Sequence, residues 1–127
     1  MDWQGWFLPR GLTQRKPKIP TLTPPAEEDL EKLRALRAAG SKMDLPHPVR
    51  CFLLFDSEEG ARAAADMLQR ENTPSTVRAR PDGRWTLTVV QHVVPEPRAI
   101  TKIRETLTAA AEAQDGRFLE WTAPLVY

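Results

Sequence analysis

The segment Pro48–Phe55 (PVRCFLLF) constrains the fold of this chain more than any other part of the sequence. It is short and almost entirely apolar, with proline before it and an acidic stretch after it. A run of this length and composition predicts a strand that is covered on both faces, which places it in the middle of a sheet. The sequence after it then supplies a helix, a hairpin, a second helix and a last strand as its packing partners.

The length of 127 residues predicts one domain with a terminal extension. A domain of this size buries enough apolar surface to need no disulfide or metal for stability. The single cysteine, Cys51, lies inside the apolar strand, so we interpret it as a small buried hydrophobe in a reducing cytosol. A catalytic thiol is the less favoured alternative, because it needs an exposed thiolate beside a base.

Charge is distributed unevenly along the chain, although the formal net charge is only +1. Residues 1–25 hold four basic residues and one acidic residue, a net charge of +3, whereas the rest holds fourteen basic and sixteen acidic residues, a net charge of −2. No apolar run approaches the roughly 20 residues that span a bilayer, and residues 1–25 lack the apolar core of a secretory signal. We therefore expect a cytoplasmic protein without a membrane partner.

We predict two parts: residues 1–22 form an aromatic and basic, proline-rich arm, and residues 23–127 form the domain. The arm is too short to form a core, so its aromatic side chains either fold back onto an apolar patch of the domain or anchor a partner protein. We favour the first interpretation. In the second, the aromatic groups bind the partner and the cations steer it. The candidate partner-binding residues of the arm are Trp3, Trp6, Phe7 and Arg10.

Capping signals predict where the first two helices begin. The first helix is expected to start with Thr23 as N-cap and Pro24 at the first helical position, and to end at Gly40. The second helix is expected to start with Asp56 as N-cap, with Glu59 completing a capping box.

The remaining segments predict a hairpin, a helix and an edge strand. The turn Pro81–Gly83 has the residue types of a tight turn, and Pro124 places the last strand at an edge. The predicted elements are a strand at Ser75–Arg80, a strand at Arg84–Val94, a helix at Pro97–Asp115 that Gly116 stops, and a strand at Phe118–Val126.

This element order predicts an α+β fold, the ferredoxin-like βαββαβ two-layer sandwich, with an additional N-terminal helix. Two helices cover one face of such a sheet. The other face is not purely polar, because Phe52 and Val90 fall on it together with Thr86 and Thr88. We expect it to be covered by the first helix, by the N-terminal arm, by a second copy of the chain or by a foreign partner.

The sequence does not favour an enzyme. His47 and His92 each lack a neighbour at metal-ligand spacing, and one cysteine cannot form a zinc site. No glycine-rich phosphate loop is present, and the paired carboxylates lie at helix starts, where capping explains them. We predict no catalytic residues, no cofactor and no metal site.

RNA binding is the first alternative, because the same topology builds the RNA-recognition module. That module has an aromatic-rich third strand that begins with a basic residue and glycine. Here Arg84 and Trp85 supply the cation and one aromatic ring, but threonine and leucine follow and no glycine is present. Direct nucleic-acid binding is therefore disfavoured. A small-molecule-binding regulatory domain of the same fold is the second alternative.

The block from Leu30 to Val126 resembles the RraB-like family, named for a bacterial protein inhibitor of ribonuclease E. The segments that carry the resemblance are HPVRCFLLFDSEEGARAAADML, GRWTLTVVQHVVP and DGRFLEW. They correspond to a strand of the type H-x-V-x-x-F-L-x-F, an alanine-rich helix, a strand centred on tryptophan and a closing G-x-Y-D-G-W. The matching residues are His47, Val49, Phe52, Leu53, Phe55, Trp85 and Trp121.

The resemblance implies a non-enzymatic, protein-binding regulator or adaptor of RNA degradation with a ferredoxin-like fold. Its partner would be a ribonuclease or another RNA-decay protein, bound through the sheet surface, the arm or both. Two departures bear on ribonuclease E as the target: Phe118–Glu120 replaces the tyrosine, aspartate and glycine of the closing motif, and no strongly acidic tail precedes Tyr127. Trp85 and Trp121 are further candidate partner-binding residues, with core packing favoured for both. A homodimer is left open.

Overall fold

The computed structural model describes residues 23–127, which form an antiparallel sheet of four strands with three helices. The elements are α1 (Glu27–Ala38), β1 (His47–Phe55), α2 (Glu58–Arg70), β2 (Ser75–Ala79), β3 (Trp85–Val93), α3 (Pro97–Glu112) and β4 (Arg117–Thr122). The strand order is β2-β3-β1-β4, so the apolar strand β1 is an inner strand, as predicted. The α+β class is confirmed.

Helices α2 and α3 pack on one face of the sheet, which we call the helix-covered face. Along β1, Val49, Cys51, Leu53 and Phe55 alternate onto this face and are almost fully buried. Leu87 and Val89 of β3 pack beside them. Phe52, which the sequence places on the other face, lies opposite them as predicted, because side chains of a strand alternate between the two faces.

Helix α1 lies on the same side of the sheet as α2 and α3. It packs against α3, and Leu33 reaches into the core. The ammonium group of Lys32 donates to the carbonyl oxygen of Trp121 and lies 5.1 Å from the centre of its indole ring. Helix α1 is therefore held beside α3 and the edge strand β4, and the first helix does not cover the opposite face.

The predicted start of α1 at Thr23 is wrong. The N-cap is Ala26, in extended conformation, without a side-chain hydrogen bond to the first turn. Pro25 disfavours helical dihedral angles at Pro24, which moves the start of the helix past both prolines. The hydroxyl group of Thr23 donates instead to Glu105 on α3.

The predicted capping box of α2 is also wrong. Ser57 is the N-cap, and its hydroxyl oxygen accepts the Gly60 backbone N–H at 3.1 Å. Because β1 continues through Phe55, Asp56 is needed for the connection and the capping position falls one residue later. Glu58 and Glu59 lie in the first turn, where the helix dipole favours negative charge.

The last strand ends at Thr122, four residues earlier than predicted. Pro124 has no N–H group to donate to a sheet ladder, so pairing stops before it. The chain then runs back to the loop after α1, where the Lys42 N–H donates to the Val126 carbonyl at 2.7 Å. The C-terminal segment therefore fastens that loop rather than extending the sheet.

The predicted hairpin is present. Gly83 has φ +87°, a conformation that glycine adopts without strain, and the Arg80 N–H donates to the Arg84 carbonyl at 2.8 Å. None of the helices within residues 23–127 combines the length and the hydropathy needed to cross a membrane.

Candidate functional site

The sheet face opposite α2 and α3, which we call the open face, is the candidate functional site. Directly paired residues of an antiparallel sheet point to the same side, so the register places the open-face residues in cross-strand rows. Three successive rows are Val90, Arg50 and Thr122; Thr76, Thr88, Phe52 and Glu120; and Arg78, Thr86, Leu54 and Arg117. An outer row of Pro48 and the exposed His92 lies beyond Arg50. Among the strands and helices of residues 23–127, no helix packs on this face.

Three arginines give the open face most of its charge; a fourth, Arg80, donates to the Thr86 hydroxyl on this face at 3.4 Å but is paired with Asp82 at 3.4 Å. Arg50, Arg78 and Arg117 are exposed, and none of them forms an ion pair with another residue in the described range 23–127. The acidic residue of the face, Glu120, lies 3.7 Å from the Lys32 ammonium group. Residues 26–127, which include this face, carry a net charge of −2, so the positive charge of the face is a local concentration.

An apolar group lies among these cations. Phe52 and Val90 are half-buried and line a depression of about 480 Å³ with Arg50, Arg78 and two threonines, Thr76 and Thr88. Leu54, in the neighbouring row, is only 4% exposed. A large apolar side chain from a partner could pack on Phe52 while its anionic neighbours reach the arginines.

A second cluster joins α1, α3 and β4 on the helix-covered side. Asp29 is 1% exposed, and its two carboxylate oxygens accept hydrogen bonds from Arg104 at 2.9 and 2.7 Å. The indole N–H of Trp121 donates to the same carboxylate at 2.8 Å. The Arg104 guanidinium also lies 4.7 Å from the centre of the Phe118 ring. These contacts hold α1 against α3 and the edge strand β4.

The charge of Asp29 is maintained by these donors. Burial on its own raises the pKa of Asp29, but the hydrogen bonds from Arg104 and Trp121, with the positive charges of Arg104 and Lys32, outweigh it and lower the pKa below its ordinary value. The carboxylate is therefore ionised and fully occupied by groups of its own chain. It stabilises the docking of α1 and is not free to act as a general base.

The pair Ser41 and His47 has the geometry of a nucleophile beside a base, but its surroundings make it a structural contact. The Ser41 hydroxyl oxygen lies 2.6 Å from His47 Nε2, and His47 Nδ1 donates to the Leu45 carbonyl at 2.8 Å. Both side chains are buried, and the Ser41 oxygen also accepts the Val126 N–H at 2.8 Å. The pair therefore fastens the C-terminal segment to the loop before β1.

Cys51 should be unreactive in the folded protein. Its side chain is fully buried in the core, and burial raises the pKa of the thiol to about 12. Because only the thiolate attacks disulfide reagents, we expect no measurable reaction with 5,5′-dithiobis(2-nitrobenzoate) at pH 8 over several minutes. One thiol per chain should react after unfolding in guanidinium chloride. Rapid modification of the native protein would contradict the burial of Cys51.

The residues singled out from the sequence fall in three places. Trp85 is half-buried on the helix-covered side of β3 and packs against the core, and Trp121 is 2% exposed within the Asp29 cluster. Both occupy packing positions, the role that the sequence favoured for them. The arm residues lie outside the described range; these are Trp3, Trp6, Phe7 and Arg10.

The charged residues of both clusters were missed by the sequence interpretation. Alternation along β1 places Arg50 on the same side as Phe52, so this residue could have been found from the pattern. Arg78 and Arg117 join them only through the cross-strand register. Asp29 lies in the first turn of α1, where the helix dipole favours negative charge, but its main partners are Arg104 and Trp121.

Three helices and a four-stranded antiparallel sheet with one exposed face define a small α+β domain. Its sequence matches the family model of RraB, described as regulator of ribonuclease activity B, over residues 26–122. This match runs from the N-cap of α1 to the end of β4 and covers about three quarters of the chain, so the protein belongs to the RraB family. The resemblance noted from the sequence is thereby confirmed. A comparison with curated proteins gives no significant match.

Proposed function

We propose that this protein is a non-enzymatic regulator of ribonuclease activity that acts in the bacterial cytoplasm by binding another protein. Its RraB family membership supports a role in regulating a ribonuclease. The observation that carries the binding mode is the open face, where Phe52 lies exposed in part among three cations. The strand order β2-β3-β1-β4 with crossover helices α2 and α3 also supports the ferredoxin-like assignment.

Three side chains of the types used in catalysis support a non-enzymatic role, because each already has a structural function. His47 is buried against Ser41 and a backbone carbonyl, and Asp29 is saturated by donors. Cys51 is a buried thiol. A general base or nucleophile must reach a substrate, and these three groups do not reach the surface.

Ribonuclease E is the enzyme on which the proposal is tested. Purified full-length protein should slow the cleavage of a fluorescent single-stranded RNA in proportion to its concentration, and should co-elute with the enzyme in gel filtration. The protein alone should leave the RNA intact. Unchanged cleavage at a tenfold molar excess, together with separate elution, would rule out regulation of this ribonuclease by binding.

Deleting residues 1–18 tests the contribution of the arm. If Trp3, Trp6 and Phe7 anchor the partner, removing them should weaken binding to ribonuclease E by about tenfold or more, because buried aromatic anchors dominate interface energies. Binding is measured by pull-down and titration. The circular dichroism spectrum of the shortened chain should show the helix content of α1, α2 and α3, as a control for folding. If the enzyme is captured equally well without residues 1–18, the arm hypothesis is wrong.

A further inference from the structure

We propose that the open face binds an acidic, extended segment of the partner protein, with a large apolar side chain of that segment on Phe52 and its carboxylates on Arg50, Arg78 and Arg117. This inference rests on the proposed protein-binding function and names the surface and the chemistry of the partner. Two observations support it: the register of the four strands, and the fact that none of the three arginines forms an ion pair within residues 23–127.

The register sets the geometry of the three cations. Arg50 lies in the first row on β1, while Arg78 and Arg117 lie at the two ends of the third row. With strands about 4.8 Å apart and a rise of about 3.4 Å per residue, their Cα atoms form a triangle with sides of roughly 15 Å. Phe52 falls inside the triangle, so one extended segment can reach the ring and the surrounding guanidinium groups together.

The charge of the face argues against its own N-terminal arm as the occupant. Residues 1–25 carry a net charge of +3, from Arg10, Arg15, Lys16 and Lys18 against Asp2. Docking that segment would place cations beside Arg50, Arg78 and Arg117, which is unfavourable at short range. An occupant of opposite charge gains the same interactions that the arm would lose.

Charge also argues against a second copy of the chain on this face. A two-fold contact presents the same surface from both partners, so each arginine of one copy would face the arginine-bearing surface of the other. The open face offers Glu120 as the acidic residue within its three rows, and Lys32 already lies 3.7 Å from it. Self-association through this face would therefore bury like charges.

RNA fits the face less well than an acidic protein segment. Phe52 is the one aromatic residue in these three rows and His92 lies apart from it in the outer row, whereas single strands are bound by several adjacent stacking side chains. Glu120 lies directly opposite Phe52 on β4. A nucleic acid carries a phosphate at every nucleotide and must place one near this carboxylate, while a polypeptide can place its apolar residue there.

The size of the face predicts a weak contact. Four strands and three rows span about 20 Å in each direction, so roughly 400 Å² is available, about half of what one partner buries in a standard interface. A contact of this size that depends on exposed charges is expected to be transient and to weaken as salt rises.

Charge reversal of the three arginines tests the assignment. The probe is a fluorescein-labelled peptide, EDEEFEEDE, with fluorescence anisotropy read at 50 mM and 300 mM salt. The variant R50E/R78E/R117E should bind at least tenfold more weakly than the wild-type chain. The control R37E/R70E/R98E changes the same number of exposed arginines on α1, α2 and α3 and should stay within about twofold, because charges beyond the Debye length are screened.

A milder variant and a mapping measurement show whether weaker binding reflects lost charge or a misfolded variant. R50Q/R78Q/R117Q removes the charges without adding acidic groups and should weaken peptide binding by about fivefold to tenfold. Amide shifts of the ¹⁵N-labelled wild-type chain should move on titration at residues of β1 and β3, not on α2. Equal peptide binding by wild type and both open-face variants would overturn the inference.

Two further measurements, with RNA and with ribonuclease E, distinguish the alternatives. A ten-nucleotide uridine strand that binds more tightly than the peptide, and is lost in R50E/R78E/R117E, would overturn the inference in favour of RNA. If that variant regulates ribonuclease E as well as the wild type does, the surface is wrong and the proposed function stands. If the peptide binds as expected but the wild-type protein leaves ribonuclease E unaffected, regulation of this ribonuclease is ruled out and the surface assignment stands.

Discussion

Replacing Asp29 with alanine should lower the free energy of unfolding by about 2–4 kcal/mol, since Arg104 is partly exposed and keeps Glu28 at 3.6 Å. The substitution leaves the Arg104 guanidinium without the carboxylate that accepts two of its hydrogen bonds, and leaves the buried indole N–H of Trp121 unpaired. A buried donor without a partner carries its full desolvation penalty. Helix α1 should then detach from α3 and β4 more readily than the rest of the domain unfolds.

Urea unfolding, followed by circular dichroism and tryptophan fluorescence, measures this effect. Glu31 lies two residues away on the same helix but is exposed, so Glu31→Ala is the matched control and should change stability by less than about 0.5 kcal/mol. A double-mutant cycle with Arg104→Ala should show strong coupling, since the two side chains contact each other. Equal unfolding midpoints for Asp29→Ala and Glu31→Ala would show that the cluster does not hold α1.

The same carboxylate predicts a pH dependence of a definite sign. The folded-state pKa of Asp29 lies below its ordinary value, so the unfolded chain binds the proton more readily than the folded chain does. Its contribution to stability is therefore fully present above about pH 5 and is lost as the pH falls below about 4 toward the folded-state pKa. The stability difference between wild type and Asp29→Asn should be constant above pH 5 and shrink in acid.

Replacing Gly116 with alanine should destabilise the domain by about 3 kcal/mol or more. A Cβ atom at this position would lie 2.5 Å from two carbons of the Phe55 ring and 2.7 Å from the Leu54 carbonyl oxygen. The ring is 1% exposed and the carbonyl belongs to the inner strand β1, so neither can move without disturbing the core. Overpacking against such groups forces strained side chains or a backbone shift.

The control for this substitution is Gly60→Ala, at the start of α2. There the added Cβ atom would lie 3.1 Å from the Gln114 carbonyl and 3.2 Å from the Ser57 hydroxyl, a milder contact. Chemical unfolding should rank Gly116→Ala as clearly more damaging than Gly60→Ala. Adding Phe55→Leu to Gly116→Ala should recover part of the loss, because it removes the ring edge that the methyl group meets. Purely additive effects would show that the ring is not the obstacle.

Gly116 also shows how a correct pattern can have a different physical cause. The sequence interpretation used this glycine to stop α3, and the helix does end before it, at Glu112. The left-handed position is taken by Asp115, with φ 59°, while the Gly116 N–H donates to the Ala111 carbonyl at 2.8 Å. Gly116 is required by the close approach of Phe55, which no local pattern in the sequence reveals.

Capping residues were the least predictable part of the local structure. Thr23 and Asp56 have the right residue types for N-caps, but Ala26 and Ser57 occupy those positions. In each case a neighbouring constraint decided the start: successive prolines before α1, and the length of β1 before α2. A capping preference is worth about 1 kcal/mol, so these stronger constraints override it.

The sequence by itself determined the α+β class, the buried inner position of β1, the face on which each of its residues lies and the RraB family. Periodicity and the identity of neighbouring residues specify these features locally. Only the tertiary structure decided that Asp29 meets Arg104 and Trp121, 75 and 92 residues away, and that Arg50, Arg78 and Arg117 surround Phe52. Such contacts depend on strand register and helix docking, which are set by the packing of the whole core and not by any single segment.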